Sequence, residues 1–162
     1  ASDYKLATYA LMSWYFVANI ETNAKNFEKA ESIAERALEI ARKPDINNLS
    51  AAISLSRLIG EIKTKKGAFD EAVQILNNAL KMAQDIQNNS QIAKLSVALG
   101  ELQSARMGPN VSDNAQLAQL TIEHYTTAKN LFTDLGNQMH SMRIDKITEE
   151  FKEKAKSYGL EI

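Results

Sequence analysis

The residues able to do chemistry are few and scattered. His124 and His140 are the only histidines and stand sixteen residues apart. No HxxxH, Glu-x-x-His or aspartate cluster accompanies them, so the ligand spacing of a metal site is absent. Ser141 follows His140, but adjacency does not supply the base and orienting acid that a serine nucleophile needs. No two glycines lie closer than Gly60 and Gly67, which leaves no glycine-rich loop to cradle a phosphate. The chain has no cysteine, so thiolate nucleophiles, disulfide staples and cysteine-based zinc sites are excluded. Glu149, Glu150 and Glu153 interleave with Lys152, Lys154 and Lys156, and Lys63, Lys65 and Lys66 follow Glu61; both clusters read as solvated helix surface. Met107, Met139 and Met142 read as packing residues before they read as an adaptable binding patch. The pattern points away from an enzyme, and no metal or cofactor is expected.

Nineteen basic residues against twenty acidic ones leave a net charge of -1 over 162 residues. Nucleic-acid binding draws most of its affinity from a concentrated basic surface, and none is present. The most apolar stretch, Leu6 to Ile20, is interrupted by Thr8, Ser13 and Asn19 and is too short to span a bilayer. No small-residue cleavage pattern follows it. The chain starts at Ala1 and reads as a fragment or processed form, with a cytoplasmic location expected.

The elements that must position any site are helical. Apolar residues recur at spacings of three and four: Phe27, Ala30, Ala34, Ala37 and Ala41 form one stripe, Phe69, Ala72, Leu76, Ala79 and Ala83 a second, and Ile144, Ile147, Phe151, Ala155 and Tyr158 a third. Seven helices are predicted, at roughly Asp3–Asn23, Asn26–Arg42, Asn48–Lys65, Phe69–Ile86, Asn88–Met107, Asp113–Leu135 and Gln138–Ser157. Pro44 disfavours helical geometry in the residue before it. Asn88 with Gln91, and Asp113 with Gln116, have capping-box-like spacing. Gly136 suits the left-handed residue that closes a helix. Six helices pair into antiparallel hairpins at about 3–43, 47–87 and 88–135. The seventh, about 137–158, is expected to cap the last hairpin with Met139, Met142, Ile147 and Phe151 while Glu149, Glu150, Lys152 and Lys154 face water.

These units repeat. Ala30 to Ala72 is 42 residues, as is Ala37 to Ala79, and periods of this size mean stacked supersecondary units. Trp14, Val17-Ala18, Phe27, Ala30, Ala34 and Ala37 mark the first unit. Ile59-Gly60, Gly67, Phe69, Ala72, Leu76 and Ala79 mark the second. Leu99-Gly100, Tyr125 and Ala128 mark the third. The arrangement resembles the tetratricopeptide repeat family, in the longer-helix form found in kinesin light chains and bacterial signalling regulators. The alternative is a non-repeat helical bundle. The resemblance implies one all-α domain over 1–162, a right-handed superhelix of antiparallel helix hairpins. Small residues at Gly60 and Ala72 then let helix axes cross closely, where larger side chains would overpack the contact.

In the resembled family the first helix of each unit lines a concave groove that holds an extended peptide or a partner helix. The corresponding positions are Met12, Tyr15 and Asn19, then Ser54, Arg57 and Glu61, then Lys94, Val97 and Glu101, each trio on one helix face. The resemblance therefore implies a non-catalytic protein–protein interaction module. Tyr15 is the expected anchor, with Arg57 and Glu61 setting orientation. The family branch that grips chaperone C-terminal carboxylates is matched only by Asn19 and Lys94. The alternative function is a ligand- or peptide-sensing domain of a larger bacterial signalling or transcription regulator. Self-association through uncapped repeat ends is a further expectation, with Tyr4, Tyr9 and Leu11 exposed on the first helix.

Overall fold

The computed structural model describes residues 2–162, with side chains described from Asp3 onward, and every regular element among them is helical. In chain order these are α1 (Ser2–Asn23), α2 (Phe27–Ala41), α3 (Leu49–Lys66), α4 (Phe69–Asp85), α5 (Asn89–Arg106), α6 (Asn114–Asp134) and α7 (Gln138–Ser157). The chain divides into two compact units, residues 1–82 and 83–162, with the division inside the last turn of α4.

In the first unit, small buried residues form the seams. Ala30, Ala34, Ala37 and Ala41 line the inner face of α2, against Leu11 and Ala18 of α1 and Leu55, Leu58 and Ile62 of α3. Gly60 marks the closest approach: a Cβ built there would lie 2.5 Å from Leu76 Cγ of α4. In the second unit, Gly100 plays the same part toward Tyr125 of α6, whose ring would lie 2.5 Å from the added carbon. The pairs Gly60–Leu76 and Gly100–Tyr125 are thus equivalent contacts, although the second pair lies farther apart in sequence. Leu117, Ala118, Ala128 and Phe132 of α6 and Ile144, Phe151 and Ala155 of α7 complete that unit's core.

The helix ends follow local chemistry. Asn48, Asn88 and Asn137 each cap the following helix, their side-chain oxygens accepting from the backbone N–H of Ala51, Gln91 and His140. The Asp113 cap expected from sequence does not form. Asn114 instead clamps the turn, donating to the Gly108 carbonyl at 2.7 Å and accepting from its N–H at 3.2 Å. Gly67 and Gly136 take the left-handed conformation at φ +78° and +70°, but Lys25 and Gln87 adopt it too, at +63° and +52°. Hydroxyls in helix interiors turn back on their own helix: Thr22 donates to Ala18, Ser96 to Ile92 and Thr121 to Leu117.

Four expectations are corrected. Leu11 is buried, because it shares a face with Ala18 and Thr22; Tyr4 and Tyr9 are exposed. Met139 and Met142 do not cover the last hairpin and are both exposed. They lie roughly 140–160° around the helix from Ile144, and His140 extends the seam in their place, stacked on Phe132 at 4.7 Å. Lys154 does not face water: it is half-buried and donates to Ser104, through the backbone carbonyl and through Oγ at 3.2 Å. Burial pushes its pKa down. Lys63 is not a free surface charge. It bridges Glu31 at 2.5 Å and Glu71 at 2.7 Å, while Lys66 holds the other oxygen of Glu31 at 2.6 Å.

Candidate interaction surface

Two helices of the first unit bring part of the predicted trio sets together. On α1, Met12 is exposed and Tyr15 and Asn19 are half-buried; on α3, Ser54, Arg57 and Glu61 are half-buried. The centre of the site is Arg57. One terminal nitrogen donates to the Tyr15 hydroxyl at 2.7 Å, across 42 residues of sequence, and the other donates to the Glu61 carboxylate one helical turn on. Burial disfavours the guanidinium charge, but the Glu61 carboxylate and the Tyr15 hydroxyl more than offset it and hold the pKa above its usual value. Arg57 Nε is buried without a hydrogen-bond partner among the described residues. A guanidinium has five N–H groups, so the two recorded bonds leave donors in hand. The Tyr15 ring packs against the core, and its edge meets Phe16 at 5.8 Å and 75°.

In the second unit, Lys94 and Val97 are half-buried and Glu101 is exposed. They stand on one face of α5 by helical spacing. Val97 packs against that unit's core. Burial raises the Tyr125 pKa well above the phenol range, with the charges of Glu101 and Glu150 adding to it.

His124 is half-buried, and burial lowers its pKa. His140 accepts or donates at Nδ1 to Asn137 Oδ1, 2.9 Å away. Among the described residues no three histidine or carboxylate groups gather to hold a metal ion, and no helix is long and apolar enough to cross a membrane.

A cleft of about 300 Å³ opens between α2, α3 and α4 of the first unit, floored by Leu38, Ile59, Ile75 and Met82 with Glu35 and Arg42 among its lining. The small residues Ser56 and Ala79 line it too. They are the only sequence signal it has, and they resemble the other close-packing residues.

Residues 9–85 match the family described as Tetratricopeptide repeat. No curated protein matches the chain. Among solved structures it is similar to the crystal structure of BtubC (BKLC) from P. vanneervenii, at 13% identity and a TM-score of 0.51, covering 94% of this chain and 66% of that one. The chain thus spans just under two thirds of that protein, and a likeness at this identity concerns the fold alone. The helical hairpins and the small-residue crossings agree with the match, and over residues 9–85 the chain is similar to the tetratricopeptide repeat family.

Proposed function

We propose that the chain is a non-catalytic protein–protein interaction module. It takes a peptide or partner helix on the faces of Met12, Tyr15 and Asn19 on α1, Ser54, Arg57 and Glu61 on α3, and Lys94, Val97 and Glu101 on α5. Tetratricopeptide repeats generally mediate protein–protein interaction. The observation that supports this particular site is the Tyr15–Arg57–Glu61 cluster. Tyrosine and arginine dominate binding energies at interfaces. Here both are held in one conformation before a ligand arrives, which removes part of the ordering cost of association. Arg57 is already neutralised by Glu61, so the ligand chemistry that fits is an apolar anchor beside Met12 and Tyr15 with peptide carbonyls toward the guanidinium, rather than a bare anion.

Selection from a random-sequence peptide display library against the purified chain tests the proposal. Enriched peptides should lose at least ~30-fold in affinity for the Tyr15→Ala, Arg57→Ala double variant, as hot-spot truncation implies, while helical circular dichroism is unchanged. Capture at parental affinity by the double variant removes this surface from the account.

A further inference from the structure

From Leu6 through Ile20, α1 carries no charged residue. Leu11, Ala18 and Thr22 point into the first unit. On the opposite side Leu6, Tyr9, Phe16 and Ile20 are 57–71% exposed and Val17 is 43% exposed; Ala10 and Ser13, between them, are exposed as well. With 3.6 residues per turn, these seven positions fall in a sector of roughly 120°. The stripe presents on the order of 600 Å² of mostly apolar surface, more than scattered exposed residues leave and close to the ~800 Å² per partner of a standard interface. Burying it strands little polarity: Ser13 Oγ donates to the Tyr9 carbonyl at 2.9 Å. Phe16 is steadied by the edge of Tyr15.

The order of residues says what fits. The stripe is symmetric about Ser13: Leu6 and Ile20 stand seven residues away on either side, Tyr9 and Val17 four, Ala10 and Phe16 three. A two-fold axis beside Ser13 therefore sets Leu6 against Ile20 of a second copy, Tyr9 against Phe16, Ala10 against Val17, and Ser13 against its own counterpart. Such self-complementarity is what an isologous interface requires. Positions 6, 9, 13, 16 and 20 also follow the seam spacing of a coiled coil. The small side chains at Ala10 and Ser13 let the two backbones approach at the centre, and no like charges meet along the stripe. We infer that this face of α1 is a homodimer interface, on which a second copy docks its own α1 antiparallel, with Ser13 at the two-fold.

The absence of cysteine makes the register directly readable. The 162-residue chain should sediment as a dimer at sub-millimolar concentration. The Phe16→Lys, Ile20→Lys variant, changed only at exposed positions, should associate at least ~100-fold more weakly with unchanged circular dichroism. Under mild oxidation Ser13→Cys should cross-link to itself. Leu6→Cys and Ile20→Cys should each fail alone and cross-link when mixed. A chain that stays monomeric at every concentration overturns the inference, and means that another repeat or a different protein covers the stripe. A dimer insensitive to the lysine pair overturns it too, as do self-linked Leu6→Cys or Ile20→Cys variants, which would report a parallel pair.

Discussion

Replacing Gly60 by alanine sets two terms of known sign against each other. In an exposed helix the change gains about 0.8–1 kcal/mol, the difference in intrinsic propensity. At this position the new methyl would lie 2.5 Å from both Cγ and Cδ2 of Leu76 and 3.3 Å from its Cδ1. Carbon contacts are optimal at about 3.5–4.0 Å, so Leu76 or the backbone must shift by about 1 Å. Leu76 is wholly buried, and close-packed interiors yield little to an added carbon. Overpacking of this kind costs ~1–3 kcal/mol. With two carbons at 2.5 Å the cost falls in the upper part of that range, about 2–3 kcal/mol, so the clash wins: Gly60→Ala should destabilise by about 1–2 kcal/mol net, a fall of roughly 2–8 °C in Tm for a chain of this length. Urea denaturation followed by circular dichroism measures it. Leu76→Ala, introduced with Gly60→Ala, should recover about 1 kcal/mol relative to additivity, because both clashing carbons are gone. Gly67→Ala is the contrast. Nothing lies within 4 Å of its added carbon, so its loss comes from the left-handed backbone, about 1–2 kcal/mol, and Leu76→Ala should not rescue it. A Gly60→Ala protein more stable than the parent by its propensity gain would refute the close crossing of α3 and α4.

Two further outcomes are expected. Burial pushes the Glu31 carboxyl pKa up, but hydrogen bonds from Lys63 and Lys66 outweigh it and hold the value below the usual carboxylate range. Folding therefore favours the ionised form; that contribution is complete above the ordinary carboxylate pKa and is lost as pH falls through the lowered one. Glu31→Gln should cost about 1–2 kcal/mol at neutral pH, between the surface and buried limits for ion pairs, and its deficit should vanish in strong acid. Parallel denaturation curves at neutral and acid pH check this. Gln87 closes α4 at φ +52°, a conformation that disfavours side chains with a Cβ; Gln87→Gly should raise stability by ~0.5–1 kcal/mol, visible as a higher Tm, and a lower one would contradict it.

The helices were legible because their code is local. A 3.6-residue period, asparagine caps and helix-closing glycines each act within a few residues, so the seven predicted segments differ from the observed ones only by a few residues at their ends. The crossings at Gly60 and Gly100 were legible as well, because only very small residues tolerate them. The charge partners were not. Nothing local to Lys63 announces Glu31, which lies more than thirty residues upstream, and the Arg57–Tyr15 contact spans 42 residues. Helix rotation failed where two readings competed: Met139 and Met142 were assigned inward on hydrophobicity, yet the phase set by Ile144, Phe151 and Ala155 turns them outward. Of the nine residues assigned to the interaction surface, the structure joins Tyr15, Arg57 and Glu61 by hydrogen bonds.

Thr22, Ser96 and Thr121 spend their hydroxyls on carbonyls of their own helices. Toward neighbouring helices they present, in effect, hydrocarbon. At these three positions the fit to the next helix is a matter of contour alone. The polar ties between helices are kept to other places, at Tyr15–Arg57, Glu31–Lys63 and Ser104–Lys154, so a change of contour at Thr22, Ser96 or Thr121 strands no donor on a neighbouring helix.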